Sequence, residues 1–169
     1  MFRIARVVIP GIPHHVVQRG NRRQKVFFND EDRVYYLRLL KKYGDKAGLS
    51  FWAYSLMPNH VHMIAVPKTS DSLAEAMAAA NWRYALAVNF REDWRGCLWQ
   101  GRFYSCPLDQ PHLIAAARYI ERNPVRSAML LFFRNRKSEL VVGFVAFPDL
   151  LFPVGRGPDS AQPEGFLLY

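Results

Sequence analysis

Hydrophobic positions recur along this chain with two periods, and the switches between them mark out its elements. His14-His15-Val16-Val17-Gln18 reads as a short strand running into a basic turn, Arg19-Gly20-Asn21-Arg22-Arg23, where Gly and Asn permit tight backbone geometry. Apolar positions Val34, Tyr36, Leu37, Leu40 and Tyr43 then recur at helical spacing between Asn29-Asp30-Glu31-Asp32 and Ala47-Gly48. Asn29 or Asp30 is placed to cap that helix, and Gly48 to end it. Residues 49–56 and 60–66 read as two strands, and the break Met57-Pro58-Asn59 between them makes the pair a hairpin.

After a turn at 67–70, Ser70 or Asp71 can cap an Ala-rich helix from Leu73 to about Phe90, with Asn81 and Arg83 among its polar-facing members. Residues 97–107 mix strand formers with Gly and Arg, and Pro107 sets their limit. A third helix opens near Asp109-Gln110-Pro111, with Pro111 at its first position, and runs through Tyr119 to about Asn123 before Pro124. This order of elements predicts an α+β domain with an antiparallel sheet. Residues 141–147 are a further candidate strand, and the Pro- and Gly-punctuated stretch 153–169 is expected to be flexible.

Composition narrows the class. Apolar residues make up 50% of the 169 positions, enough for one buried core in one domain. Lys and Arg number 23 against 14 acidic residues, a formal charge of +9 that suits nucleic acid or an anionic surface, or simply a basic soluble protein. No uncharged apolar run approaches the ~18 residues of a membrane span. Pro10 and Pro13 interrupt the N-terminal stretch before a secretory segment forms, so a cytoplasmic protein without a membrane partner is expected. Cys97 and Cys106 lack C-x-x-C spacing and read as ordinary reduced thiols.

Three groups of residues carry candidate chemistry. His60 and His62 alternate in a strand, so both imidazoles project from one face while Val61 and Met63 face the other way. That spacing suits a divalent metal, and it equally suits imidazoles hydrogen-bonded to backbone. Tyr119 and Asn123 stand at i and i+4 on a helix, bringing a phenol and a carboxamide to one face. A tyrosine oxygen can serve as a covalent nucleophile, although helical tyrosines more often pack and an Asn before Pro often ends a helix. Finally, Arg19, Arg22, Arg23 and Lys25 precede Phe27-Phe28, and Trp99, Gln100, Arg102, Phe103 and Tyr104 cluster later. Cations contact phosphates and aromatic faces stack on unpaired bases, while many of these rings also fit a core.

Taken together, QRGNRRQKVFFNDEDR, YSLMPNHVHMI, LWQGRFYS and RYIERNPVRSAM, in this order, resemble the tyrosine transposases of the HUH class. The similarity is closest to the IS200-like group associated with repetitive extragenic palindromes, and it spans roughly residues 12–129. The resemblance implies a ferredoxin-like α+β fold over 1–134, followed by a divergent, partly flexible segment over 135–169. It implies cleavage of single-stranded DNA at hairpins, with Tyr119 as the nucleophile forming a 5′-phosphotyrosine link. His60, His62 and Asn123 then become ligands of Mg2+ or Mn2+. Arg19, Arg22, Arg23, Lys25, Gln100 and Arg102 become DNA contacts, with Trp99 and Phe103 contacting bases. A monomer or homodimer is expected. The alternative is a hairpin-binding protein without catalysis, because the sequence after Asn123-Pro124-Val125-Arg126 departs from the Trp-rich continuation associated with the group.

Overall fold

The computed structural model describes residues 6–126 and 141–144, with side chains described from Arg6 to Ile120. Its elements in chain order are β1 (His14–Arg19), a 3-10 turn (Asn21–Arg23), α1 (Asp30–Ala47), β2 (Leu49–Met57), β3 (His60–Pro67), α2 (Ser72–Arg91), β4 (Tyr104–Pro107), α3 (Gln110–Arg126) and β5 (Val141–Phe144). The strands form one sheet in the order β4-β1-β3-β2-β5, and every pairing is antiparallel. Its first four strands with α1 and α2 have the ferredoxin-like arrangement that the sequence implied. β5 adds an edge strand beside β2. The rest of the C-terminal stretch, including the expected flexible tail, lies outside the described residues.

Alternation along the strands gives each sheet face its own core. Val16, Val61, Met63 and Ala65 pack against Tyr36, Leu39 and Leu40 of α1 and Leu73, Met77, Ala80 and Tyr84 of α2. On the other face, Ala53 and Ile64 pack against Leu108 and against Ala116 and Ile120 of α3. His60 and His62 share the parity of Ile64, so they lie on the α3 side.

Local chemistry accounts for most of the element ends. The Asn29 carboxamide accepts from the Asp32 N–H at 2.8 Å, and Gly48 closes α1 in the left-handed region at φ 67°. The buried face of α1 is set by Tyr36, Leu39 and Leu40, whereas Val34, predicted to be apolar-facing, is 45% exposed. Asp71 stands at the N-cap of α2 but makes no side-chain capping bond, because its backbone is already helical. Ser72 Oγ instead accepts from the Thr69 N–H at 3.0 Å.

Three boundaries differ from those the sequence predicts. The strand expected over 97–107 shrinks to β4, because Gly101 turns the chain at φ 61° and only a bridge between Gly20 and Trp99 precedes it. In α3, Asp109 caps the helix by accepting from the His112 N–H at 2.9 Å, which moves Pro111 to the second helical position. The helix then continues past Pro124 to Arg126. A proline removes one backbone donor, and the packing of Ala116 and Ile120 on the sheet has already fixed the helix axis.

Candidate active site

The hairpin of β2 and β3 turns through Pro58 and Asn59, and the basic turn after β1 is clamped onto it. Gly20 N–H donates to the Asn59 carbonyl at 2.8 Å, and Val26 N–H donates to that of Pro58 at 2.7 Å. Gly20 is needed for this approach, since a Cβ there would lie 2.4 Å from the Gln24 carbonyl oxygen and 2.7 Å from Val26 Cγ1. Arg22 and Arg23, both at positive φ, are thereby held beside the His60 end of β3.

Asn59 also fixes the state of His60. Its amide nitrogen donates to the Arg23 carbonyl at 3.1 Å, which turns Oδ1 toward His60 Nδ1 at 2.6 Å. The oxygen only accepts, so His60 carries its proton on Nδ1 and keeps a bare Nε2. His62 is 6% exposed, and its Nδ1 lies 3.0 Å from Nε2 of His15, which comes from the neighbouring strand. No hydrogen bond from the described residues engages Nε2 of either His60 or His62.

His14 shows the contrasting case. Fully buried on the opposite face, it donates from Nδ1 to the Ile12 carbonyl at 2.7 Å and accepts at Nε2 from the Ile9 N–H at 3.2 Å. The backbone-bonded state that the sequence left open for His60 and His62 is found at His14 instead, whereas His60 and His62 each keep one nitrogen that no described residue engages.

Tyr119 reaches this cluster from α3. Its ring meets His62 edge to face at 5.2 Å between centroids and His15 at 6.5 Å, and it remains 39% exposed. His60 and His62 are themselves 5.0 Å apart between centroids. Arg19 lies opposite His60 in the β1–β3 register. Burial first, then the charge of Arg19, lowers the His60 pKa. Burial first, then repulsion from His60, His15 and Arg19, pushes His62 down to about 3. Burial lowers His15 as well. All three imidazoles are neutral near pH 7 and present lone pairs rather than charge.

Two neutral imidazoles whose Nε2 atoms no described residue engages fit a divalent cation. Among the described residues, no group of three or more His, Cys, Asp or Glu side chains is set to hold one. Asn123 lies one turn after Tyr119 on α3, and its side chain falls outside the described residues.

The predicted DNA contacts divide by location. Arg19, Arg22, Arg23, Lys25 and Gln100 are exposed around the clamped turn, where the Gln100 N–H donates to the Arg19 carbonyl at 2.8 Å. Trp99 and Phe103, expected to contact bases, are each 7% exposed and belong to the core. Trp99 packs among Phe27, Tyr36 and Tyr84 and donates from Nε1 to the Asn81 carbonyl, while the Arg6 guanidinium covers the Phe103 ring at 3.8 Å. Neither ring offers a free face for stacking. Arg102 lies apart from the imidazoles, lining a cavity of about 490 Å³ with Arg6, Met77 and Trp82 on the α2 side.

His15 and Asn59 escaped the sequence reading. Histidine alternation within one strand flags His60 and His62, but His15 becomes their neighbour only when β1 pairs with β3.

An antiparallel sheet bearing paired imidazoles beneath a helical tyrosine is the frame on which the comparisons with known proteins fall. The chain belongs to the IS200-like transposase family, whose model matches residues 9–123. Its fold is similar to that of a solved structure described as a REP-associated tyrosine transposase bound to a REP hairpin, at TM-score 0.62 and 19% identity, covering 75% of this chain and 74% of that one. A putative transposase from Deinococcus radiodurans R1 is similar at TM-score 0.49 and 19% identity, over 72% of this chain and 97% of the other. No curated protein matches the sequence. Among the described residues, no helix is long and apolar enough to cross a membrane.

Proposed function

We propose that this chain is a cytoplasmic endonuclease and strand transferase for single-stranded DNA at hairpins or palindromes, acting through Tyr119 with Mg2+ or Mn2+. The observation that carries the reading is the contact of an exposed Tyr119 ring with His62, beside two imidazoles whose Nε2 atoms no described residue engages. The family of the chain supports a transposase, and the hairpin named with the solved relative supports the substrate class.

In this reading the Tyr119 oxygen attacks the scissile phosphorus and the bond from phosphorus to the 3′ oxygen breaks. The phenol loses its proton, the departing oxygen gains one, and the products are a 5′-phosphotyrosine and a free 3′-hydroxyl. The phosphodiester bond energy stays in the tyrosyl link, so a second 3′-hydroxyl can reverse the step without a nucleotide cofactor. His60 and His62 would hold the ion, with Asn123 as third ligand. When bound there, the ion offsets charge on the non-bridging oxygens. Arg19 faces the phosphate beside the imidazoles, and Arg22, Arg23 and Lys25 follow the backbone outward.

The test is a denaturing gel with a labelled hairpin oligonucleotide and Mn2+. A covalent protein–DNA adduct forms with the native chain and is absent from Tyr119→Phe and His60→Ala. Adduct persisting in Tyr119→Phe would sink the assignment, and salt-sensitive binding with no adduct in any protein would favour the non-catalytic hairpin binder.

A further inference from the structure

We propose that His15 is a positioning residue that holds His62 in the Nδ1–H tautomer and so keeps the His62 Nε2 lone pair free for a divalent cation. This rests on the reading of His60 and His62 as metal ligands.

The geometry of the pair is specific. The His15 and His62 rings are inclined by only 13°, and their centroids are 5.2 Å apart while Nε2 and Nδ1 are separated by 3.0 Å. Nearly parallel rings at that combination of distances meet edge to edge, with the shared proton close to both ring planes, where nitrogen lone pairs lie. The contact is a hydrogen bond and not a face-to-face stack.

A hydrogen bond between neutral imidazoles has one donor and one acceptor. If His15 accepts, the His62 proton sits on Nδ1 and Nε2 is bare; if His15 donates, Nε2 of His62 is protonated and closed to any cation. A neutral histidine side chain left to itself prefers its proton on Nε2, so the ligand-competent form of His62 requires an acceptor at Nδ1, and His15 serves as that acceptor only with its own proton on Nδ1. His62 is 6% exposed, so a protein group fills that role in place of bulk water. His60 solves the same problem with a different partner, the Asn59 Oδ1 at 2.6 Å. The two ligands are thus matched, each with Nδ1–H donated to the protein and Nε2 open. Such outer partners fix ring orientation as well as tautomer.

The test combines a metal-free measurement with a binding one. Long-range nitrogen–proton NMR on the histidine-labelled apo protein should report His62 protonated at Nδ1 in the native chain and at Nε2 in His15→Phe. Titration with Mn2+, followed by the paramagnetic resonance of the free ion, should show roughly 10–100-fold weaker binding in His15→Phe. His15→Gln, whose amide oxygen reaches the former Nε2 position, should restore both readouts, and melting curves verify that each variant folds. An unchanged His62 tautomer or an unchanged Mn2+ affinity in His15→Phe overturns the assignment. If the native chain binds no Mn2+, the metal reading of His60 and His62 fails by itself, and the apo tautomer still decides whether His15 sets His62.

Discussion

Tyr119 meets His62 edge to face, with ring centroids 5.2 Å apart and planes inclined by 77°. The contact is supported from below. Ile120, the next residue on α3, is fully buried against the sheet, and Ala116 one turn earlier is 9% exposed. The helix is anchored by these side chains while the phenol projects over the imidazoles.

Replacing Tyr119 by Phe keeps the ring and removes the hydroxyl. Because the residue is 39% exposed, stability should change by no more than about 0.5 kcal/mol. Hairpin affinity should be retained while adduct formation is lost. Gel-shift titration and thermal melting check this, and a collapse of affinity or melting temperature would place Tyr119 in the fold or the DNA interface instead.

Acid should destabilise the metal-free protein. Burial holds His14, His15, His60 and His62 below the ordinary imidazole range. The folded chain therefore binds these protons less readily than the unfolded chain, whose histidines titrate near ~6.5. Stability is full above that pH and is lost progressively as pH falls toward about 3, where His62 itself takes a proton. Melting temperatures measured in EDTA should drop between pH 7.5 and pH 5. A flat profile would show that the imidazoles titrate normally.

Gly20→Ala should disturb both the fold and DNA binding, because the added methyl has no room between the Gln24 carbonyl and Val26. A loss on the order of 2 kcal/mol is expected for overpacking against backbone. The clamp that presents Arg22 and Arg23 would shift with it. Denaturant unfolding and hairpin affinity should therefore fall together, and wild-type values for both would contradict the close packing of the two turns.

Arg22 and Trp99 should separate binding from folding. Arg22→Ala is expected to lower the slope of log affinity against log salt by about 1 with little change in melting. Trp99→Ala should cost about 3 kcal/mol or more of stability, since the indole packs with Phe27, Tyr36 and Tyr84. A stable Trp99→Ala protein with poor hairpin binding would return Trp99 to the DNA surface.

Much of this was legible in the chain itself. Local chemistry determined α1 from Asn29 to Gly48, the break at Pro58 and Asn59, and the alternation that puts His60 and His62 on one face with Val61 and Met63 buried on the other. Motif order carried the family. These are short-range features, written in spacing and in the backbone preferences of a few residue types.

Tertiary structure decided the remainder, because it depends on which elements become neighbours. Residue spacing does not show which side chains of β1 and β3 meet, and their register in the sheet brings His15 to the His62 ring. The clamp of one turn on another lets the Arg23 carbonyl orient Asn59 and so set the proton on His60. Trp99 and Phe103 have the composition of a base-stacking surface, and packing gave their faces to the core. Spacing placed two imidazoles side by side; the fold brought His15 to one of them and the Arg23 carbonyl to the Asn59 that bonds the other.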